Sequence, residues 1–163
     1  MDYSEIRKLE KKYSKYVDIP WNESKLRMVG GCYEIIKEFY LNEFNIVLNN
    51  YETKKEFLFS PDIIEQESKE HNYTTIYSGT SDQDLSSSLL EFGDLLIMKL
   101  YLNPLSGGYS KAGTRYCNHC GICLGHDCML HHPFQCNSSI EYLKGSGNWY
   151  LTNTELVIRL NSN

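Results

Sequence analysis

A chain of 163 residues, 41% of them apolar and 23% charged, has the size and composition of one globular domain with a substantial hydrophobic core. A net charge of −5 and a pI near 5.5 argue against a nucleic acid as the main partner, because phosphate binding rests on clustered Lys and Arg. No apolar run approaches the roughly 18–20 residues of a membrane span, and "MDYSEIRKLEKKYSKY" lacks the apolar core of a signal peptide. The expectation is a soluble protein made in a cytosol, whose six cysteines serve as thiols or ligands rather than as disulfides.

In residues 2–17, Tyr3, Ile6, Leu9, Tyr13 and Val17 recur near a 3.6-residue period, and Asp2 or Ser4 can cap the start, which predicts an amphipathic helix. Glu5 and Glu10 interrupt its basic residues Arg7–Lys15, so they read as a solvated face rather than a nucleic-acid patch. Pro20 and "WNESKLRMVGG" separate it from a second helix, which carries Cys32, Ile35, Ile36, Phe39 and Tyr40 on one face and runs to about Phe44. Residues 49–90 are less regular and form the natural place for a variable insertion. There "SPDIIEQESKE" predicts a short helix with Pro61 in its first turn, "TTIYSG" a short strand and "GTSDQDLSSS" a polar loop. After Glu91, "DLLIMKLYL" has the length and continuous apolarity of a strand buried on both faces. "NPLSGGYSKAG" is a loop. "NHCGICLG", "HDCMLHH", "NWYLT" and "ELVIRL" then read as successive strands, with turns at Gly125, His126, Asp127 and at Gly145, Ser146, Gly147. Helices followed by a strand meander predict a single α+β domain over 1–163.

The segment "YCNHCGICLGHDCMLHH" holds four cysteines and four histidines in seventeen positions. Cys117, Cys120, Cys123, Cys128 and Cys136 offer C-x2-C spacing and a zinc reading. Strand alternation opposes it, placing His119, Gly121 and Cys123 on one face and Cys120, Ile122 and Leu124 on the other. Cys120 and Cys123 then act as small hydrophobes, and Cys128 fits the same role. A tight turn between Leu124 and Cys128 lays His119 beside His131. His132 faces the opposite way, His126 sits exposed in the turn, and His71 reads as a surface residue.

Cys32 stands apart from this cluster, directly after Gly30 and Gly31 at the first turn of a helix. Unpaired N–H groups and the positive end of the helix dipole favour thiolate there. A strand-borne histidine packed against that helix end completes a Cys–His pair, and a second polar residue orients the imidazole.

Together, "EFGDLLIMKL", "NHCGICLGHDCMLHH" and the upstream "IPWNESKLRMVGGCYEIIKEFYLNEFNIVLNNY" resemble the NlpC-type, papain-like cysteine peptidases, and most closely their bacteriophage tail branch. Members read Gly-Asp before a hydrophobic strand, a loop, N-H-x-G-I-Y-L-G, and a strand ending in His-His. Their nucleophile cysteine opens a helix after a proline, an aromatic and a glycine-rich loop. The resemblance covers about 19–48 and 91–160, including the closing "GNWYLTNTELVIRL". Gly31 stands where the family has Asp, Tyr33 and Glu34 replace a small pair, and Cys120 and Cys123 replace a small residue and a tyrosine.

The resemblance implies a papain-like fold with N-terminal helices on an antiparallel β-meander. It implies Cys32 as nucleophile, His119 as general base and acid, and His131 as orienting residue, with Trp21 and Gly31 shaping the oxyanion and substrate cleft. It implies no cofactor and no metal. The implied substrate is the peptide stem of bacterial peptidoglycan, and the implied partners are phage tail-tip proteins, in a virion tail or tail-assembly intermediate. The alternatives are a catalytically weak tail-tip assembly protein and a zinc-binding module.

Overall fold

A computed structural model of the chain describes residues 3–21, 30–48, 72–80, 84–100, 117, 119–133, 135–145 and 148–161. The helix expected at Pro61, the loop 103–113 and His71 lie outside the described residues. Helix α1 spans Tyr3–Lys12 and passes into a 3-10 turn at Ser14–Tyr16; helix α2 spans Gly30–Phe44. Then come β1 (Tyr73–Ser78), β2 (Leu95–Met98), β3 (His119–Gly125), β4 (Cys128–His131), β5 (Ser139–Tyr142), helix α3 (Asn148–Thr152) and β6 (Thr154–Leu160). The fold is α+β, with the N-terminal helices against an antiparallel sheet, as the sequence predicts.

Among the described residues the strands form one sheet in the order β1-β6-β2-β3-β4-β5, every pairing antiparallel. The expected meander therefore holds from β2 to β5 and is corrected at its end. Strand β6 does not follow β5 across the sheet; it returns to lie between β1 and β2. The reason lies in β2, whose four residues Leu95, Leu96, Ile97 and Met98 are all buried and need a neighbour on both edges. A second correction concerns "NWYLT", which forms α3 rather than a strand. The Thr152 and Thr154 hydroxyls and the Asn153 side-chain amide donate to the carbonyls of Asn148, Tyr150 and Trp149, each four residues back, and so satisfy that short helix. Strand β5, "SIEY", has no clear signal in the sequence and exists because β4 offers it an edge.

The sheet separates two cores. On one side Leu95, Ile97, Cys120, Ile122, Leu124, Leu130 and Ile140 meet α1 and α2 through Leu9, Tyr13, Ile36, Phe39 and Tyr40. On the other, Leu96, Met98, Cys123, Met129 and Val157 meet Leu143 and Leu151. Each fully buried side chain of this size contributes about 1.5–3 kcal/mol, so the α2 face anchors the helix firmly. Asn45, at φ 56°, ends α2, and its N–H closes the last turn onto the Leu41 carbonyl at 3.1 Å.

Two glycines set the strand geometry near the site. Gly93, before β2, has φ +92°, and a Cβ there would meet the Phe44 ring at 2.7 Å. A Cβ on Gly121, in the middle of β3, would run into Met129 Sδ and lie 3.2 Å from the Leu130 carbonyl, so only glycine lets Met129 cross the strand. The β3–β4 turn uses His126 and Asp127, both at positive φ (53° and 56°), the pattern of a type I′ hairpin turn.

Asp94, fully buried at the start of β2, is held by Arg159 of β6 through Nε to Oδ1 at 2.7 Å and Nη2 to Oδ2 at 2.8 Å. Its Oδ2 also accepts the Glu91 N–H at 2.8 Å. Replacing Arg159 with Leu leaves a buried carboxylate without its counter-ion. The expected loss is about 3 kcal/mol of unfolding free energy, read from urea denaturation. Arg159→Lys, which keeps the charge but not the two-pronged geometry, loses less.

Candidate active site

Cys32 is the third residue of α2 and 5% exposed, turned into the core that α2 shares with β3. The helix begins at Gly30 and Gly31, so Cys32 lies in its first turn, where backbone N–H groups have no intrahelical partner. The Cys120 thiol of β3 donates a hydrogen bond to Cys32 Sγ. Together with the His119 imidazole, that bond holds the Cys32 thiol well below its ordinary range, against the upward push of burial. Burial and the neighbouring Cys32 charge push Cys120 the other way, well above the ordinary range. Of the two adjacent thiols, Cys32 is the one whose pKa is lowered.

His119 opens β3 and is buried. Its Nε2 lies 2.9 Å from Nδ1 of His131, and the two rings meet edge to face at 5.1 Å. The hairpin register brings them together: Gly121 pairs with His131 across β3 and β4, so His119 is two residues along the same face. With Nε2 committed to His131, Nδ1 is the nitrogen left for Cys32. His131 is fully buried, and burial pushes its pKa down to about 4, so its imidazole is neutral at neutral pH. The Tyr150 ring of α3 closes over it edge-on at 5.0 Å.

The chain thus brings Cys32, His119 and His131 into one line running from the start of α2 across two strands. Trp21 packs edge-on against His132 at 5.3 Å, next in sequence to His131, and His132 Nε2 lies 3.1 Å from the Cys136 carbonyl. The segment leading to Trp21 is strapped down by Ser138, whose backbone exchanges hydrogen bonds with Asp18 and Ile19 and whose hydroxyl accepts the Ile19 N–H at 2.9 Å. Gly31 lies in the first turn of α2. His126 is exposed in the turn, as expected.

Cys120 is more than the core filler the sequence predicts, because its thiol reaches Cys32. Cys123 faces the opposite core and, pushed up to about 11 mainly by burial, fits the filler role. Among the described residues no three His, Cys, Asp or Glu side chains gather as a metal-holding group. Two neighbours of His131 have no motif: Tyr150, on a segment that reads as a strand, and Glu141, on a strand the sequence does not announce.

Among solved structures, the chain is similar to the NlpC/p60 domain of the peptidoglycan hydrolase SagA, at a TM-score of 0.46 and 14% identity, over 93% of this chain and 96% of that one. No protein-family model and no curated protein matches the sequence.

Removing the Cys120 donor raises the Cys32 pKa. In Cys120→Ala the pH of half-maximal iodoacetamide alkylation of Cys32, followed by mass spectrometry, is expected to rise by about one pH unit, the worth of one hydrogen bond. Acid acts through His131. Between pH 6.5 and about 4 the unfolded chain takes up a proton there that the folded chain refuses, so stability falls as the pH drops through that window. Urea unfolding at pH 7 and pH 4.5 is expected to show a loss of up to roughly 3 kcal/mol, smaller in His131→Asn.

Proposed function

We propose that the protein is a cysteine peptidase or amidase that cuts the peptide stems of bacterial peptidoglycan, and that it belongs to a bacteriophage tail whose task at infection is to open the cell wall. The observation that carries this reading is the convergence of Cys32, His119 and His131, residues 87 to 99 positions apart from the sulfur in sequence, in one buried hydrogen-bonded line. The resemblance of residues 19–48 and 91–160 to the NlpC-type peptidases supplies the substrate class and the tail setting. In that setting the protein is made in the host cytoplasm, works beside tail-tip proteins, and resides in the virion tail or an assembly intermediate. Residues 49–90 vary around a single catalytic domain.

The chemistry follows from the positions. His119 takes the Cys32 proton, and the thiolate attacks the scissile carbonyl carbon. The Cys32 backbone N–H, at the helix start, is the candidate donor to the developing oxyanion, with Gly31 and Trp21 as the residues that would shape the cleft. As the tetrahedral intermediate collapses, the C–N bond breaks and His119 gives its proton to the leaving amine. A water then enters, loses a proton to His119 and releases the acid from the thioester, restoring the thiol. His131 keeps the His119 ring aimed at sulfur through these steps.

Purified sacculi incubated with the protein are expected to release muropeptides, identified by mass spectrometry. Cys32→Ala and His119→Ala are each expected to lower that release at least about 10³-fold. A wild-type protein that releases nothing, and whose Cys32 alkylates at pH 6 no faster than the other thiols, would return the chain to a structural role in tail assembly.

A further inference from the structure

The imidazole pair leaves one polar atom unaccounted for. His131 Nε2 is buried and has no hydrogen-bond partner among the described residues. Glu141 Oε1 on β5 lies 3.8 Å from it, an oxygen that is also 3.4 Å from the Ser139 hydroxyl. The Glu141 side chain is 41% exposed, on the strand that ends the sheet among the described residues, and this contact is a few tenths of an ångström longer than a hydrogen bond. His131 is otherwise faced by His119 from β3, Tyr150 from α3 and, further off, Cys32.

The direction of the His119–His131 bond decides whether the thiol can be deprotonated. If His131 donates from Nδ1, His119 Nε2 must be bare, its proton sits on Nδ1, and no nitrogen facing Cys32 can accept. If His119 donates from Nε2, His131 Nδ1 is the acceptor and the His131 proton must sit on Nε2. Only the second arrangement works, and it points an N–H at Glu141. We propose that Glu141 is a positioning residue whose carboxylate accepts the Nε2 proton of His131 and thereby holds His131 as acceptor for His119. The line then runs Cys32, His119, His131, Glu141 across α2, β3, β4 and β5. The interaction also keeps Glu141 below the ordinary carboxylate range, anionic at neutral pH.

This inference rests on the thiol–imidazole reading of the site but not on its substrate, and its test needs none. Imidazole ¹⁵N resonances of the full-length protein at pH 7 are expected to show His131 protonated at Nε2 and bare at Nδ1. In Glu141→Ala the two His131 nitrogens are expected to move toward averaged shifts, and Cys32 alkylation at pH 6 to slow roughly tenfold, the effect of one hydrogen bond. Glu141→Gln, whose side-chain carbonyl still accepts, is expected to restore most of both. Urea midpoints of the variants separate this from unfolding. A wild-type His131 protonated at Nδ1, or a His131 spectrum unchanged in Glu141→Ala, overturns the proposal. If sacculi are untouched while the tautomer shifts as expected, the peptidoglycan reading fails and this one stands.

Discussion

A thiolate enclosed by apolar side chains is tolerable only while donors surround it, because an ion stripped of water costs far more than a hydrogen bond returns. Cys32 meets this condition through three parts of the chain: the first turn of its own helix, the Cys120 thiol and the His119 ring. The packing of α2 on β3 is thus both the seam of the core and the contact that lowers the pKa of the sulfur. Whatever loosens that seam raises the cost of the charge.

The sheet supplies the rigidity this demands. Strand β3 lies between β2 and β4, and β2 is itself pinned between β3 and β6. The Asp94–Arg159 pair ties the entrance of β2 to β6, and Asp94 and Gly93 exchange backbone hydrogen bonds with Cys123 of β3. The Tyr40 hydroxyl of α2 donates to the Gly93 carbonyl at 2.6 Å. The Gly-Asp pair of the sequence therefore lies at a junction where helix, strand and ion pair meet, and Gly93 is required there by a positive φ and by the Phe44 ring. His119 sits at the far end of the same strand, so its position inherits the stiffness of this junction.

Polar groups are arranged by depth. Cys32, His119 and His131 are buried, while Glu141 stands partly in water at the outer strand. Burial keeps the His131 imidazole neutral against the opposing pull of Glu141, and a carboxylate that stands partly in water can orient that ring without burying a second charge.

Much of this architecture was legible from local pattern. The 3.6-residue stripe of Cys32, Ile35, Ile36, Phe39 and Tyr40 marked α2 and its buried face, and the alternation in "NHCGICLG" sorted Cys120 from Cys123 before any contact was known. A turn of the right length between Leu124 and Cys128 made the neighbouring of His119 and His131 readable, because register on one face of a hairpin follows from counting in twos. The failures have equally local causes. "NWYLT" is too short for its periodicity to separate helix from strand, and side-chain bonds to backbone carbonyls decided it. "SIEY" is a strand only because β4 lacks a partner on that side. The sequence by itself determined which residues bury, which faces they share and which chemistry each side chain can offer. The tertiary structure alone decided that β6 crosses back beside β2, that Cys120 reaches Cys32, and that Tyr150 and Glu141 attend His131. Those facts are contacts between segments far apart along the chain, and no short-range pattern encodes the free energy that brings them together.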